Sequence, residues 1–469
     1  MQSNLSSPKF GNELVAELAR VWRFARSGPK SWRLRLQDLK RLSLVRAAIG
    51  FAMAILMHHT PTSAESSSIV TVDRCNTTLH LAAEVPDELA LPSERRLHLV
   101  ELAPLADLRQ AAATTFPAAL VPATGDNGLA RKDARLLVAS ILPRPPTPNP
   151  SPEDRGGGIG AKRRFRLEPA SPADARKSEP FRFADVNESS IGLWEGEHPI
   201  LVYNHGVLRR EEYSPRFDRS GYVHPLYGLD GEVLTDDFPR DHPHHRGLFW
   251  AWAHVRVGEK ESSPWHVQGI RSQFVRWLHR DASATAAVLG VENGWYDGDS
   301  KVVTERVWLR VYPACGDERA IDLDLTLTAE TSPVVIWGAA EKSYGGMTVR
   351  FGPRKKTTIT TAAGQSTDDL NLAHLAWADL TAQFSGASGR SGAALLLDRS
   401  HPQFPPMWIT RHYGCLGVGW PGIEPVTLEP GQPVRCRYRV LIHRGQVDAQ
   451  QLAAAFEAFD CKGQVVWGE

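Results

Sequence analysis

From Phe181 onward the chain is a succession of short segments in which apolar and polar residues alternate, with turn residues between them. In the segment AIDLDLTLTAE, Ile321 and the three leucines would face one way, while Asp322 and Asp324 would face solvent. This is the pattern of an antiparallel strand with one buried side. More than ten such segments and a single predicted helix, at 448–459, indicate an all-β fold, a large antiparallel β-sandwich or barrel.

The first 64 residues differ in character from the rest. They are strongly basic, then carry an apolar run at 47–57, and the small residues Thr62 and Ala64 follow it. This order predicts a secretory signal cleaved after Ala64, and hence an exported periplasmic or extracellular protein. The apolar run is too short to form a stable transmembrane span. A buried helix of a soluble protein is the alternative.

Three further regions follow from changes in composition. The sequence pattern of residues 65–168 predicts a small β-sandwich-like module. A proline- and glycine-rich stretch near 143–163 interrupts it, and we expect this stretch to be disordered. Residues 180–447 hold the main series of predicted strands, and residues 448–469 are expected to form a C-terminal helix and tail.

Charge and cysteine content exclude several classes of protein. With 54 basic and 53 acidic residues, the chain has no excess charge that would favour nucleic acid as a partner. The five cysteines are widely spaced and form no C-x-x-C pair, so a zinc knuckle and a redox motif are excluded, although one or two disulfides would suit an exported protein. The 14 tryptophans indicate either the core of a large β structure or a surface on which sugars stack.

A histidine-rich loop is the strongest candidate for a site. Between Gly221 and Trp252 it contains Asp241, His242, His244 and His245. Imidazoles beside carboxylates suit general acid/base catalysis, and these three histidines could alternatively bind a divalent metal. Buried histidines that satisfy backbone groups are the structural alternative. No cofactor is predicted, and a metal is left open.

Other candidates lie near predicted strand ends. The loop before a Gly-Gly step carries Glu341 as a possible catalytic carboxylate, with Tyr344 and Arg350 as possible substrate ligands. Further predicted substrate-binding residues are His224, Trp252, Trp265, His266, His401 and Arg411. Glu305 lies in the middle of a predicted strand, where an isolated glutamate is expected to point into solvent. We therefore assign it no role.

Several common catalytic motifs are missing from the sequence. There is no G-x-S-x-G elbow, no H-E-x-x-H and no dinucleotide-binding fingerprint after a strand. The sequence therefore argues against serine hydrolases of the elbow type, zincins and nicotinamide-dependent oxidoreductases.

Four segments carry a resemblance to a known family. They are HPLYGLDGEVLTDDFPRDHPHHRGLFWAW, KSYGGMTVRF, HPQFPPMWITRHYG and LEPGQPVRCRYRVLIHRG. Together they resemble the PmoA-like family of unknown function, whose members are largely exported proteins of Planctomycetes and Bacteroidetes. Members carry the label "methane oxygenase PmoA". That activity conflicts with this sequence, because a methane monooxygenase subunit is a bundle of long membrane helices.

The succession of strands ending in a PGQ turn is also similar to the galactose mutarotase-like supersandwich. The similarity implies a histidine acid and a carboxylate base in a cleft on the concave face of a sheet. By analogy of fold, the imidazole would come from His242, His244 or His245, and the carboxylate from Glu341 or Asp241.

These observations predict an exported carbohydrate-active protein that performs acid/base chemistry on a sugar, of the epimerase, hydrolase or lyase type. Its ligand would be a small molecule or an oligosaccharide. Two alternatives stay open. One is a non-catalytic carbohydrate-binding or surface protein, and the other is a metal-dependent oxygenase or hydrolase at the histidine cluster.

Overall fold

The computed structural model describes residues 69–73, 77–86, 89, 96–102, 114–143, 162–169, 181–460 and 465–468. Over these residues it consists of 29 β-strands, one α-helix and a short 3₁₀ helix at Pro215–Phe217. The prediction of an all-β fold with large antiparallel sheets is therefore confirmed. The predicted signal segment and almost all of the proline- and glycine-rich stretch lie outside the described residues.

The first strands are β1 (Ile69–Asp73), β2 (Leu79–Glu84), β3 (Arg96–Glu101), β4 (Thr115–Thr124), β5 (Ala130–Ile141) and β6 (Lys162–Pro169). They are followed by β7 (Phe181–Asn187), β8 (Ser190–Glu195), β9 (His198–Asn204), β10 (Tyr222–Leu226), β11 (Leu248–Trp252), β12 (His254–Val257) and β13 (Lys260–Ser262). The longest strands come next: β14 (Arg271–Ala282), β15 (Ala287–Asp297), β16 (Ser300–Val311) and β17 (Glu318–Ala329). Then come β18 (Val334–Trp337), β19 (Gly345–Arg350), β20 (Arg354–Thr361), β21 (Gly364–Ser366), β22 (Ala373–His374) and β23 (Trp377–Phe384). The last elements are β24 (Ser391–Leu397), β25 (Met407–Arg411), β26 (Cys415–Gly419), β27 (Val426–Leu428), β28 (Val434–Arg444), α1 (Ala449–Asp460) and β29 (Val466–Gly468).

Two nine-stranded antiparallel sheets form the body of the fold. The front sheet has the order β22-β25-β26-β19-β11-β10-β9-β8-β7, and the back sheet has the order β14-β15-β16-β17-β28-β24-β23-β20-β21. Their facing sides share one apolar core, to which Trp250 and Val349 contribute from the front sheet and Leu323 and Val440 from the back sheet. The main domain is thus a β-sandwich. A small sheet, β13-β12-β18-β27, accompanies it.

The N-terminal strands form a separate sheet with the order β2-β5-β4-β3-β6-β1-β29. Its last member comes from the other end of the chain, because β29 pairs with β1. A three-residue strand carries almost no signal in its own sequence, so nothing local predicts this pairing. Whether β29 forms a strand is decided by where the fold places β1, its partner.

The N-terminal sheet and α1 cover the outer side of the back sheet. Val121 and Val138 of the N-terminal sheet share an apolar cluster with Trp308 of the back sheet and Phe456 of α1. In addition, the Trp308 indole donates a hydrogen bond of 2.7 Å to the carbonyl of Gly128. The central strands of the back sheet, such as β17 and β24, are therefore buried on both sides.

This covering corrects one expectation about β17. Asp322 and Asp324 were predicted to face solvent, but each is only 5% exposed. Asp322 pairs with the guanidinium of Arg439 at 2.6 Å, and Asp324 pairs with Arg435 at 2.7 Å and with Arg437 at 3.0 Å. The alternation of apolar and polar residues was recognised correctly. The prediction was wrong because a second layer of protein, rather than water, lies over the polar face.

Among the described residues no helix is both long and apolar enough to cross a membrane. Cys315, Cys415 and Cys436 have free thiols. Cys75 and Cys461 lie outside the described residues, so the predicted disulfides are not tested for them.

Candidate functional site

The sequence-predicted histidines line a cavity of about 280 Å³ beside the outer side of the front sheet. We call it the histidine cavity, and its walls are formed by His242, His244, His245, Trp265, His266, Lys342, Tyr344, Ile409, Arg411, Tyr413 and Cys415. These residues come from the loop before β11, the turn after β13, the loop before β19 and strands β25 and β26. Sequence-distant candidates thus meet at one place.

A buried arginine holds the histidine-rich loop in place. Arg246 is 0% exposed, and its guanidinium lies 3.5 Å from the centre of the Phe238 ring. It donates hydrogen bonds of 2.7 Å to the carbonyls of Pro243 and His245, and another to the carbonyl of Phe217. Its Nε lies 3.4 Å from the Asp237 carboxylate. One side chain therefore satisfies two carbonyls of this loop and ties the loop to Phe217 of the 3₁₀ helix.

The imidazole rings form a connected group. The ring centre of His245 lies 4.7 Å from those of His242 and His244, and the ring centre of His244 lies 5.1 Å from that of His266. The His242 ring also stacks on Tyr413 at 5.4 Å. Such rings are held by mutual packing, so their nitrogen atoms point in defined directions.

Burial keeps three of these imidazoles neutral near pH 7. It lowers the pKa of His244 to about 3, and the nearby His266 and Arg219 add to the effect. Burial also lowers the pKa of His245 well below its usual value, with His244 as the next cause, and lowers the pKa of His266. A neutral imidazole can accept a proton or donate one N–H hydrogen bond.

The nearest carboxylate to this group is already paired. Asp241 receives hydrogen bonds of 2.7 and 2.8 Å from Nη2 of Arg350, and lies 3.0 Å from Nδ1 of His242. Burial raises the pKa of Asp241, but hydrogen bonds from Arg350 and His242 outweigh it, so the net pKa lies below the usual value. Asp241 is therefore an anion that neutralises Arg350.

We expect acid to destabilise the fold through His244. The pKa of His244 falls from 6.5 in the unfolded chain to about 3 in the folded one, so its stabilising effect is complete above pH 6.5 and is lost as the pH falls toward 3. Because the side chain is partly exposed, we expect a loss of about 1 kcal/mol between pH 7 and 4.5. Urea unfolding of the wild type and of His244→Gln at both pH values would measure it.

The His244→Gln protein should lose less stability on acidification than the wild type. His198→Gln, which changes an exposed histidine of β9, serves as the matched control and should behave like the wild type. An equal acid loss in His244→Gln and wild type would contradict this expectation.

The described residues contain no group of three or more histidine, cysteine, aspartate or glutamate side chains placed to hold a metal ion. The metal alternative at His242, His244 and His245 therefore gains no support from the geometry.

Six predicted site residues do not line this cavity. Asp241 and Arg350 pair with each other, Trp252 lines the second cavity described below, and the other three are Glu341, His224 and His401. Glu341 is exposed on a turn with φ of 64°. The Nδ1 of His224 forms a hydrogen bond of 3.0 Å with the Thr235 hydroxyl, and the Nε2 of the buried His401 forms one of 3.0 Å with the Tyr438 hydroxyl. The last two contacts are those of histidines that satisfy internal polar groups.

A second, larger cavity of about 430 Å³ lies where the loops after β9 and β13 meet the open end of the sandwich. We call it the tryptophan cavity, because Trp250, Trp252 and Trp295 line it together with Phe274 and Ile270. Its polar lining includes His205, Asp218, Arg219, Arg271, Gln273 and Glu305. Trp252 is the one residue of this cavity that the sequence analysis selected.

Glu305 corrects a second expectation, because it is 1% exposed rather than solvated. Its neighbours at two-residue spacing, Val303 and Val307, belong to the core between the sheets, so Glu305 faces inward as well. The side-chain amide of Asn293 and the indole of Trp295 each donate a hydrogen bond of 2.8 Å to its carboxylate, and the Trp250 indole donates a third. The sequence did contain a signal for this burial. Glu305 is a charged residue at a position where the residues two before and two after it, Val303 and Val307, are apolar.

No arginine, lysine or histidine among the described residues forms an ion pair with Glu305. Burial therefore raises its pKa, although the three N–H donors offset part of the effect. His205, in the same cavity wall, has a pKa lowered by burial. Titratable groups with shifted pKa values that line one cavity are candidates for proton transfer.

Comparisons with known proteins add the following findings. The model of a family of unknown function, DUF6807, matches residues 192–457. No curated protein sequence matches the chain. Among solved structures, a candidate kojibiose phosphorylase from the human microbiome is similar, with 8% identity and a TM-score of 0.28. That alignment covers 63% of this chain and 34% of the other, and at this TM-score it carries no argument about function.

Proposed function

The chain belongs to the DUF6807 family of unknown function, since the match covers more than half of its length, and we propose that it is a carbohydrate-active protein whose sugar lies in the tryptophan cavity. The observation that carries the proposal is the buried Glu305 carboxylate, which forms no ion pair among the described residues and lines a cavity together with three tryptophans. Glu305 is the group that we assign to proton transfer.

The shape and lining of the cavity suit a sugar. At about 430 Å³ it lies within the range of small-molecule sites. Aromatic faces pack against the C–H faces of a sugar ring, while Gln273, Arg271 and Asp218 offer hydrogen-bonding groups for its hydroxyls. The cavity therefore combines an apolar floor with a few polar groups, as sites for polyols do.

The raised pKa of Glu305 supports acid/base chemistry. Burial raises the pKa of Glu305, and a carboxyl group with a raised pKa is better suited to act as a general acid. The proposed reaction is proton transfer at a hydroxyl or a carbon of the sugar, in an epimerisation, a hydrolysis or an elimination. His205, neutral because burial lowers its pKa, is the proposed second group.

We expect Glu305→Gln to weaken sugar binding by roughly 10- to 100-fold, because the variant replaces a charged acceptor by a neutral one. A screen of mono- and oligosaccharides would identify the ligand, and calorimetry would give the dissociation constants. Glu341→Gln is the matched control, because Glu341 is exposed and lines neither cavity, and it should bind like the wild type.

Three outcomes distinguish the alternatives. If no glycan binds to the wild type, the proposal fails. If binding is lost in His244→Gln and kept in Glu305→Gln, the sugar occupies the histidine cavity, as the sequence predicted. If a glycan binds but is never converted, the protein is a non-catalytic carbohydrate-binding protein.

Export is part of the proposal, and a mature protein that begins at Glu65 would support it. Membership of the family labelled methane oxygenase stays a prediction. So does metal-dependent chemistry at His242, His244 and His245, which metal analysis of the purified protein would test.

A further inference from the structure

We infer that the histidine cavity is a binding site for a small organic molecule that carries an oxyanion, such as a phosphate, sulfate or carboxylate group. The inference is independent of the sugar proposed for the tryptophan cavity. It depends on the distribution of charge, on a buried polar atom without a partner, and on the volume of the cavity.

The fixed charge around the histidine cavity is positive. Lys342 and Arg411 line it, and no aspartate or glutamate among the described residues does so. The guanidinium of Arg411 is held in place by the carbonyls of Leu370 and Thr410 and by the side chain of Asn371. Its nearest carboxylate, on Asp369, lies 3.9 Å from Nε. A cationic ligand would be repelled here.

A further cation lies behind this wall. The guanidinium of Arg350 is 4.7 Å from the ring centre of Tyr413, which lines the cavity. Asp241 accepts hydrogen bonds from Nη2 of Arg350, so it is committed to that cation and does not offset Lys342. Asp241 and Arg350 therefore form a neutral pair behind Tyr413, and the positive charge of the cavity comes from Lys342 and Arg411.

A buried polar atom without a partner points the same way. Nδ1 of His245, a residue 3% exposed on the cavity wall, has no hydrogen-bond partner among the described residues. Leaving a buried polar atom unpaired is costly, so most such atoms have a partner in the protein, in water or in a bound ion or molecule. An oxyanion supplies acceptors where the wall supplies imidazole, ammonium, guanidinium and phenol donors.

The volume decides between a free ion and a larger molecule. A cavity of about 280 Å³ is far larger than one inorganic oxyanion needs. Trp265 and Tyr344, whose rings pack together at 5.0 Å, form an aromatic wall for the remainder of the ligand. The ligand therefore has an anionic end near Lys342 and Arg411 and a second part that contacts the aromatic rings.

Calorimetry of the full chain with inorganic phosphate, sulfate and acetate tests the site. We expect at least one of them to bind in the millimolar range, and Lys342→Glu to weaken it at least tenfold, because the change reverses an exposed charge on the wall. Lys355→Glu is the matched control. Lys355 is exposed on β20, lines neither cavity, and should alter the affinity less than twofold.

Competition identifies the kind of molecule. Glucose 6-phosphate and glucuronate should displace the inorganic ion at concentrations at least tenfold below those that acetate needs, whereas glucose should not displace it. Failure of all three ions to bind, equal losses in the two lysine variants, or displacement by glucose would each overturn the inference. Retained sugar binding at the tryptophan cavity in Lys342→Glu would show that the two sites are separate.

Discussion

Arg246→Leu is expected to destabilise the protein by about 3–5 kcal/mol, as removal of one partner of a buried ion pair generally does. The change leaves the carboxylate of Asp237 buried without the Arg246 charge, and leaves the carbonyls of Phe217, Pro243 and His245 without their donor. Urea unfolding followed by tryptophan fluorescence would measure the loss. The same variant should lose oxyanion binding, because this guanidinium positions the histidine-rich loop.

Arg240→Leu provides the control for that prediction. Arg240 lies in the same loop and is exposed, so its replacement should change the free energy of unfolding by no more than about 0.5 kcal/mol. Arg246→Lys separates charge from shape, since an ammonium group cannot reach three carbonyls and a carboxylate at once. Full stability in Arg246→Lys would mean that the charge alone is sufficient, contrary to the argument from geometry.

Asp322→Ala should produce a loss of similar size, about 3–5 kcal/mol, in a different part of the protein. Asp322 accepts hydrogen bonds from Arg439 at 2.6 Å and from the Tyr312 hydroxyl at 2.8 Å, and Arg310 lies 3.5 Å away. Without the carboxylate, Arg439 and Arg310 would be buried cations in a site from which water is excluded. Chemical unfolding compared with Asp299→Ala, which alters an exposed turn aspartate, would measure the effect.

The same pair connects the back sheet to the N-terminal sheet. Arg439 also donates a hydrogen bond of 3.0 Å to the carbonyl of His80 in β2, and its guanidinium lies 4.5 Å from the ring centre of Phe459 in α1. We therefore expect Arg439→Met to restore part of the stability in the Asp322→Ala background, because an apolar side chain needs no counter-charge. A double variant that is less stable than Asp322→Ala alone would contradict this reasoning.

Much of the site could be predicted from residue types. Four histidines, Tyr344 and Arg411, chosen from separate segments, do meet in one cavity. The residues that hold or complete the sites were missed, because their roles depend on neighbours distant in sequence. Arg246 was not selected from the polar loop, and Glu305 was expected to point into solvent. The sequence analysis selected Glu341 and set Glu305 aside, although Glu341 is exposed and Glu305 is buried.

The amino-acid sequence by itself determined the all-β class, the alternation within each strand and the positions of most turns. These features depend on the two-residue period of a strand and on residues such as glycine and proline, which act locally. Tertiary structure alone decided which faces meet water. The N-terminal sheet buries Asp322 and Asp324, the pairing of β29 with β1 adds a C-terminal strand to that sheet, and the facing sheets enclose Glu305. Burial is a property of what packs against a residue, and it sets the pKa of a histidine or a glutamate far more strongly than the neighbours in sequence do.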